Sequence, residues 1–122
     1  MKNQRIKFIG VAILGFALLV LATPNARTAT TVTLTASVLT QVCQGGDGVN
    51  VTLTATLSPP KSGVKYVWDF TNDGTFDTAP STNPTVVHLY PDEVRVTAKV
   101  GVMKGGQLKG TATVTFNTIR CP

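Results

Sequence analysis

From Thr31 onward the sequence alternates between apolar and polar residues with a period of two, and no stretch of it has a helical period. An extended chain points successive side chains to opposite faces, so this pattern writes strands that are dry on one face and wet on the other. TVTLTASVLT puts Val32, Leu34, Ala36 and Val38 on one face and threonines mainly on the other. VNVTLTATL repeats it with Val49, Val51, Leu53, Ala55 and Leu57, and VKYVWDF with Val64, Tyr66, Trp68 and Phe70. VRVTAKVGV groups Val94, Val96, Ala98, Val100 and Val102; LKGTATVTF groups Leu108, Ala112, Val114 and Phe116; TVVHLY is a short run apolar on both sides. Gly45-Gly46-Asp47-Gly48, Ser58-Pro59-Pro60-Lys61-Ser62-Gly63, Asn72-Asp73-Gly74 and Lys104-Gly105-Gly106 separate these runs. Such residues supply the fixed or positive φ of chain reversals. Six or seven short strands without a helix predict an all-β sandwich, and the threonine faces suit sheets wetted on one side.

The N-terminus reads differently. Lys2, Arg5 and Lys7 form a basic head, followed by an uncharged apolar run from Phe8 to Ala22. That run is shorter than the about 20 residues a bilayer-spanning helix needs. A basic head and a short apolar core are the build of a secretory signal peptide. Val20-Leu21-Ala22 supplies small residues for cleavage after Ala22, Ala26 marks a second, weaker site, and an uncleaved anchor is the alternative that the length disfavours. The expected organisation is a signal peptide over 1–22, a linker over 23–30 and one domain over 31–122. That domain would be secreted or held at the cell surface, without a stable membrane span after cleavage. Cleavage removes three of the eleven Lys and Arg, leaving eight against six Asp and Glu, a net charge of +2. The remaining basic residues are spread singly, so nucleic acid is not an expected partner.

About 100 residues make one small domain, which gains from a covalent staple. Cys43 and Cys121 are the two cysteines, and an exported chain meets an oxidising compartment, so one pairing is expected. Two free thiols are the alternative. If the first and last strands of the sandwich run side by side in parallel, Cys43 and Cys121 fall at the same end, and their bridge ties down both chain ends.

The stretch YVWDFTNDGTFDT gathers Asp69, Asn72, Asp73 and Asp77 behind an aromatic strand. An EF-hand loop wants oxygen ligands at alternate positions, a glycine at the sixth and a bidentate glutamate at the twelfth. Counted from Asp69, Thr71, Asp73 and Gly74 fit, but Pro80 stands where the closing ligand belongs. A calcium site from Asp69, Asp73 and Asp77 is therefore the minor reading, and a structural turn in which Asp and Asn bond their own backbone is the major one. With Trp68-Asp69-Phe70, the Asn72-Asp73-Gly74 turn and, downstream, His88-Leu89-Tyr90, the chain resembles the polycystic kidney disease (PKD) domain. The likeness spans roughly residues 33 to 117. It implies an immunoglobulin-like β-sandwich of about seven antiparallel strands, in which these motif residues, all but the variable Leu89, are structural. It also implies an extracellular, non-catalytic module that contacts proteins or carbohydrates. Thr71 is one residue extra to the family's pattern, and Pro91-Asp92-Glu93-Val94 lacks the glycine and aromatic that usually follow the tyrosine.

Other chemistry is thin. Asp69, Asp73 and Asp77 sit too close together to flank a sugar for hydrolysis. His88 is the lone histidine, and no nucleophile elbow accompanies Ser37, Ser58, Ser62 or Ser81, so neither an acyl-transfer triad nor a histidine–cysteine metal site is expected. No cofactor is implied. Trp68 shares a face with Tyr66 and Phe70 and reads as core rather than as a sugar platform. Asn50-Val51-Thr52 is a glycosylation sequon, relevant to a eukaryotic secretory route. The expected function is a secreted contact module. The alternatives are a structural subunit of a surface assembly, formed by self-association, and a carbohydrate-binding accessory to a separate hydrolase.

Overall fold

The computed structural model describes residues 16–19, 32–46 and 48–122. The basic head, both cleavage positions, the 23–30 linker and Asp47 lie outside the described residues. The strands are β1 (Phe16–Leu19), β2 (Val32–Cys43), β3 (Gly48–Ser58), β4 (Val64–Asp69), β5 (Thr85–Pro91), β6 (Arg95–Lys104) and β7 (Gln107–Asn117). They form two antiparallel sheets, ordered β1-β2-β3-β5 and β4-β6-β7. No helix occurs among the described residues, and so none long and apolar enough to cross a membrane. The domain expected over 31–122 contains six strands, β2 to β7, where about seven were anticipated. The remaining strand, β1, is drawn from the apolar run between Phe8 and Ala22. The segment between β4 and β5 makes only an isolated bridge, Tyr66 to Ser81.

The period-two faces close on one another as a single core. Val32, Leu34 and Ala36 of β2 and the five alternating residues of β3 meet Tyr66 and Trp68 of β4. Val96, Ala98, Val100 and Val102 of β6 complete the layer. Threonines face outward in register, with Thr35 opposite Thr56, and Thr97 opposite Thr115, whose hydroxyls lie 2.8 Å apart. Gly105 and Gly106, at φ 60° and 75°, form the two-residue β6–β7 turn. A primed turn of this kind needs positive φ at both positions and matches the twist of its strands.

Two bulges break the alternation. On β2 the register shifts between Val38 and Thr40, so Leu39 is an extra, exposed residue. Beyond it Thr40 and Val42 turn outward, opposite Thr52 and Asn50, while Gln41 and Cys43 turn inward, opposite Val51 and Val49. On β7 the partner of Val102 is Gly110 and that of Met103 is Leu108, which leaves Lys109 as the extra residue. Leu108 therefore sits on the outer face. Its expected grouping with Ala112, Val114 and Phe116 is corrected by this one-residue insertion, which reverses facing for everything before it.

The bulge on β2 determines how the two sheets are joined. Gln41 Nε2 donates to the Asn117 carbonyl at 3.1 Å, and Ile119 N–H donates to Gln41 Oε1 at 2.9 Å. One turn of alternation further, Cys43 is bonded to Cys121, with Cα atoms 5.6 Å apart. β2 and β7 thus run side by side in the same direction at the seam, closed at their C-terminal ends.

Candidate functional site

The acidic stretch folds into a turn whose carboxylates are consumed by its own backbone. Asp69 ends β4 with 0% exposure. Its Oδ1 accepts from Asp73 N–H at 3.1 Å and its Oδ2 from Gly74 N–H at 2.9 Å, with Lys99 Nζ 3.9 Å from Oδ2. Burial alone would raise the Asp69 pKa, but the amides of Gly74, Asp73 and Thr71 and the charge of Lys99 outweigh it and hold the carboxyl below its ordinary value. Asp73 Oδ1 accepts from Thr75 N–H at 2.9 Å, an Asx turn, and Asp77 Oδ2 accepts from Phe70 N–H at 2.8 Å. Asn72, at φ 55°, and Gly74, at φ 93°, give the loop its reversal. All three carboxylates of the minor calcium reading therefore brace the loop. No group of three His, Cys, Asp or Glu among the described residues is arranged to hold a metal ion.

The remainder of the loop closes the outer side of β4. Asp77 N–H donates to the Trp68 carbonyl, Trp68 N–H donates to Thr78 Oγ1, and Tyr66 and Ser81 exchange backbone hydrogen bonds. An edge that would otherwise present unpaired amides is thereby covered. Phe76 lies over Gly101, where an added Cβ would come within 2.8 Å of its ring and 2.7 Å of Leu108. Val67, Phe76 and Leu108 thus make a small second cluster outside the sandwich, with Lys99 Nζ 5.8 Å from the Phe76 ring centroid.

His88 and Tyr90 join the two sheets through rings. His88 stacks on Phe70 at 3.9 Å between centroids, Tyr90 meets His88 edge-on at 4.6 Å, and Phe116 meets Tyr90 edge-on at 5.7 Å. Tyr90 Oη donates to the Phe70 carbonyl at 2.8 Å. Burial, with Asp77 and Asp69 nearby, pushes the Tyr90 pKa far up. Burial lowers that of His88, against the opposing pull of Asp77. These groups stay neutral near pH 7 and act as spacers of the core. Trp68 is buried, and its Nε1 has no hydrogen-bond partner among the described residues.

Sequence reasoning missed Thr118 as a holding residue. Its hydroxyl donates to the Pro91 carbonyl at 2.8 Å and accepts from Val94 N–H at 2.9 Å, while Cys121 N–H donates to Asp92 Oδ2 at 3.1 Å. The 91–94 loop, with Glu93 at φ 51°, is thus pinned by the C-terminal tail. A lone threonine after a strand carries no signal of that role.

Shallow depressions among the described residues include two on the surface of the sandwich. One of ≈ 530 Å³ is lined by Gln44, Gly45, Gly48, Leu89, Tyr90 and Pro91, and one of ≈ 290 Å³ by Gly63, Lys65, Pro80, Met103, Gly105 and Gly106. Neither brings a nucleophile and a base together. More distinctive is the outer face of the first sheet, where Val42, Val87 and Leu89 are 58%, 58% and 53% exposed. The pairings of Asn50 with Val42 and Leu89, and of Thr52 with Val87, set them on one face around the polar centre of β3. Asn50 Nδ2 donates to Gln44 there. The fold and its covalent seam define a disulfide-closed, antiparallel β-sandwich. Compared with protein-family models, with curated proteins and with solved structures, the chain matches none.

Proposed function

We propose that the protein is a secreted, non-catalytic module of immunoglobulin-like, PKD-like type that contacts another protein at or outside the cell surface. The observation that carries this reading is the Val42, Val87 and Leu89 patch. Three aliphatic side chains more than half exposed on one face of a small domain cost hydration unless a partner covers them. The disulfide suits an oxidising compartment, and the apolar run behind a basic head suits export. The Trp-Asp-Phe turn and the His-x-Tyr ring bridge serve as framework, which fits a family in which these residues are structural. A protein partner is favoured over a carbohydrate one because Tyr66, Trp68, Phe70 and Tyr90 are buried, and Phe76 and Phe116 are half-buried. Among the residues of β2 to β7 and their loops, no aromatic side chain is left as an exposed platform for a sugar ring.

The experiment is co-sedimentation of the exported, oxidised protein with isolated cell envelope and, separately, with insoluble glycans, each with calcium or with chelator. The expected result is sedimentation with envelope, insensitive to chelator and lost in Val87→Glu at unchanged melting temperature. Sedimentation with pure glycan would replace the protein partner by a carbohydrate. Loss on chelation would restore the Asp69, Asp73 and Asp77 loop as a calcium site, and no sedimentation at all would remove the contact function.

A further inference from the structure

We propose that removal of the leader turns the N-terminal half of β2 into a docking edge for the same edge of a second copy of this chain. The inference rests on the reading of residues 1–22 as a cleaved signal peptide and is independent of what the Val42–Leu89 patch binds. It starts from what occupies that edge. β1, drawn from the leader, pairs antiparallel with β2, Phe16 against Thr35 through Leu19 against Val32, and runs beside β7. Cleavage after Ala22 takes this strand away and leaves the backbone groups of Val32–Thr35 without it. The segment that then precedes β2, TPNARTATT, has no aliphatic residue larger than alanine and carries Pro24. It is poorly suited to take over the place of a strand beside β2 and β7.

The edges of the second sheet are guarded: the 77–81 loop hydrogen-bonds along β4, and β7 carries Lys109 at its bulge and is clamped at its end by Gln41; β5 is stopped by Pro91. Natural sheets blunt their edges with charge, proline, bulges or covering chain. The first half of β2 has none of these once β1 is gone. No charged residue stands between Arg27 and Asp47, and Val32–Ser37 is regular, threonine-rich strand ahead of the Leu39 bulge. An uncharged edge meets no repulsion from its own copy.

The geometry is self-complementary. A two-fold axis at Leu34, normal to the sheet, sets Leu34 opposite Leu34 of the copy and Val32 opposite Ala36 on the core face. It sets Thr33 opposite Thr35 on the wet face, so apolar meets apolar and hydroxyl meets hydroxyl. The result is a continuous six-stranded sheet, β5-β3-β2 running into the copy's β2-β3-β5. The threonine rows extend across the join. Because the leader holds the edge until export, association is confined to the processed protein.

The test expresses the full gene with export, establishes the N-terminus of the product by mass spectrometry, and follows its mass against concentration by sedimentation velocity. The expected product begins at Thr23 and dimerises. Amide exchange at Val32–Ser37 slows as concentration rises. The double variants Thr33→Lys/Thr35→Lys and Thr33→Glu/Thr35→Glu each place two like-charge pairs face to face. Each should weaken dimerisation about tenfold, and an equimolar mixture of the two should restore a heterodimer, which unfolded variants would not do. A processed chain that stays monomeric at its highest concentration overturns the inference, as does a dimer that persists unchanged in both charged variants. A product that retains Met1 overturns the leader reading itself, and export with it, whatever its mass.

Discussion

Asp69→Asn isolates the contribution of the buried turn. The carboxylate has 0% exposure and accepts two backbone N–H groups, from Asp73 at 3.1 Å and Gly74 at 2.9 Å. Hydrogen bonds to a charged group are worth about 1.5–3 kcal/mol each, and an isosteric amide keeps one acceptor while turning an NH₂ donor toward the other N–H. The variant thus loses one charge-assisted bond and sets donor against donor. Asp73 and Gly74 are themselves exposed, so water partly replaces the lost partner and the lower end applies. The expected cost is about 2–3 kcal/mol, or a fall in melting temperature of about 10–20 °C for a domain of this size. The pH dependence distinguishes this cause from general damage. Because the folded carboxyl titrates below its ordinary value, its stabilisation is full above the unfolded pKa of about 4 and is lost as pH falls through the folded one. The gap between wild type and variant, measured by urea denaturation, should therefore be constant from neutral pH down to about pH 5 and should narrow in stronger acid. A gap below about 0.5 kcal/mol at pH 7, or one that stays constant into acid, would refute the argument that ionised Asp69 braces the turn.

Replacing Cys43 by serine opens a loop with a sequence separation of 78, for which the chain-entropy estimate is about 4.5 kcal/mol; calorimetry of the oxidised wild type against the variant should show it, and equal melting temperatures would exclude a stabilising bridge. Gly101→Val should cost about 1–3 kcal/mol by overpacking, because even a Cβ lies 2.7 Å from Leu108 and 2.8 Å from Phe76. Gly101→Ala, to which the half-exposed Leu108 can yield, should cost less, and the two are compared by urea midpoint. His88 titrates below its ordinary value through burial, so its contribution is complete above the unfolded pKa of about 6.5 and declines as pH falls through it. The melting temperature should drop between pH 7 and pH 5, and His88→Phe should flatten that interval. Deleting Leu39 should leave the Cys43–Cys121 bond intact and cost at most about 1 kcal/mol, since the residue is exposed and its neighbours Val38 and Thr40 already pair with the consecutive residues Leu53 and Thr52. Free thiols in that variant, detected by alkylation, would contradict the bulge assignment.

The alternation of threonine with aliphatic residues made the strands and most of the core legible, because side-chain facing in a strand has a period of two and little else competes with it. It failed where the period is interrupted by one residue. Neither Leu39 nor Lys109 differs in type from its surroundings in a way that marks a bulge, yet each reverses the facing of the chain beyond it. Alternation alone groups Leu108 with the core for that reason. Val67 and Asp69 lie on the wet face of β4 by alternation and are nonetheless buried, because the 70–84 loop folds back over that face. Such coverage depends on contacts distant along the chain, which a local pattern does not encode. The acidic turn was legible as a turn, since Asp and Asn before glycine bond their own backbone; the destination of each carboxylate oxygen was not. The pairing of two cysteines follows from their number and the expected export, but the sequence in phase from Val32 aims Cys43 at solvent and Val42 at the core. Looping Leu39 out as a bulge absorbs the extra residue and corrects both, keeping Cys43 and Gln41 at the seam and Val42 on the face it shares with Val87 and Leu89. The same bulge therefore preserves the covalent closure and the exposed apolar patch, so that a β2 which kept Leu39 within the ladder would forfeit the stability of the domain and its proposed contact surface together.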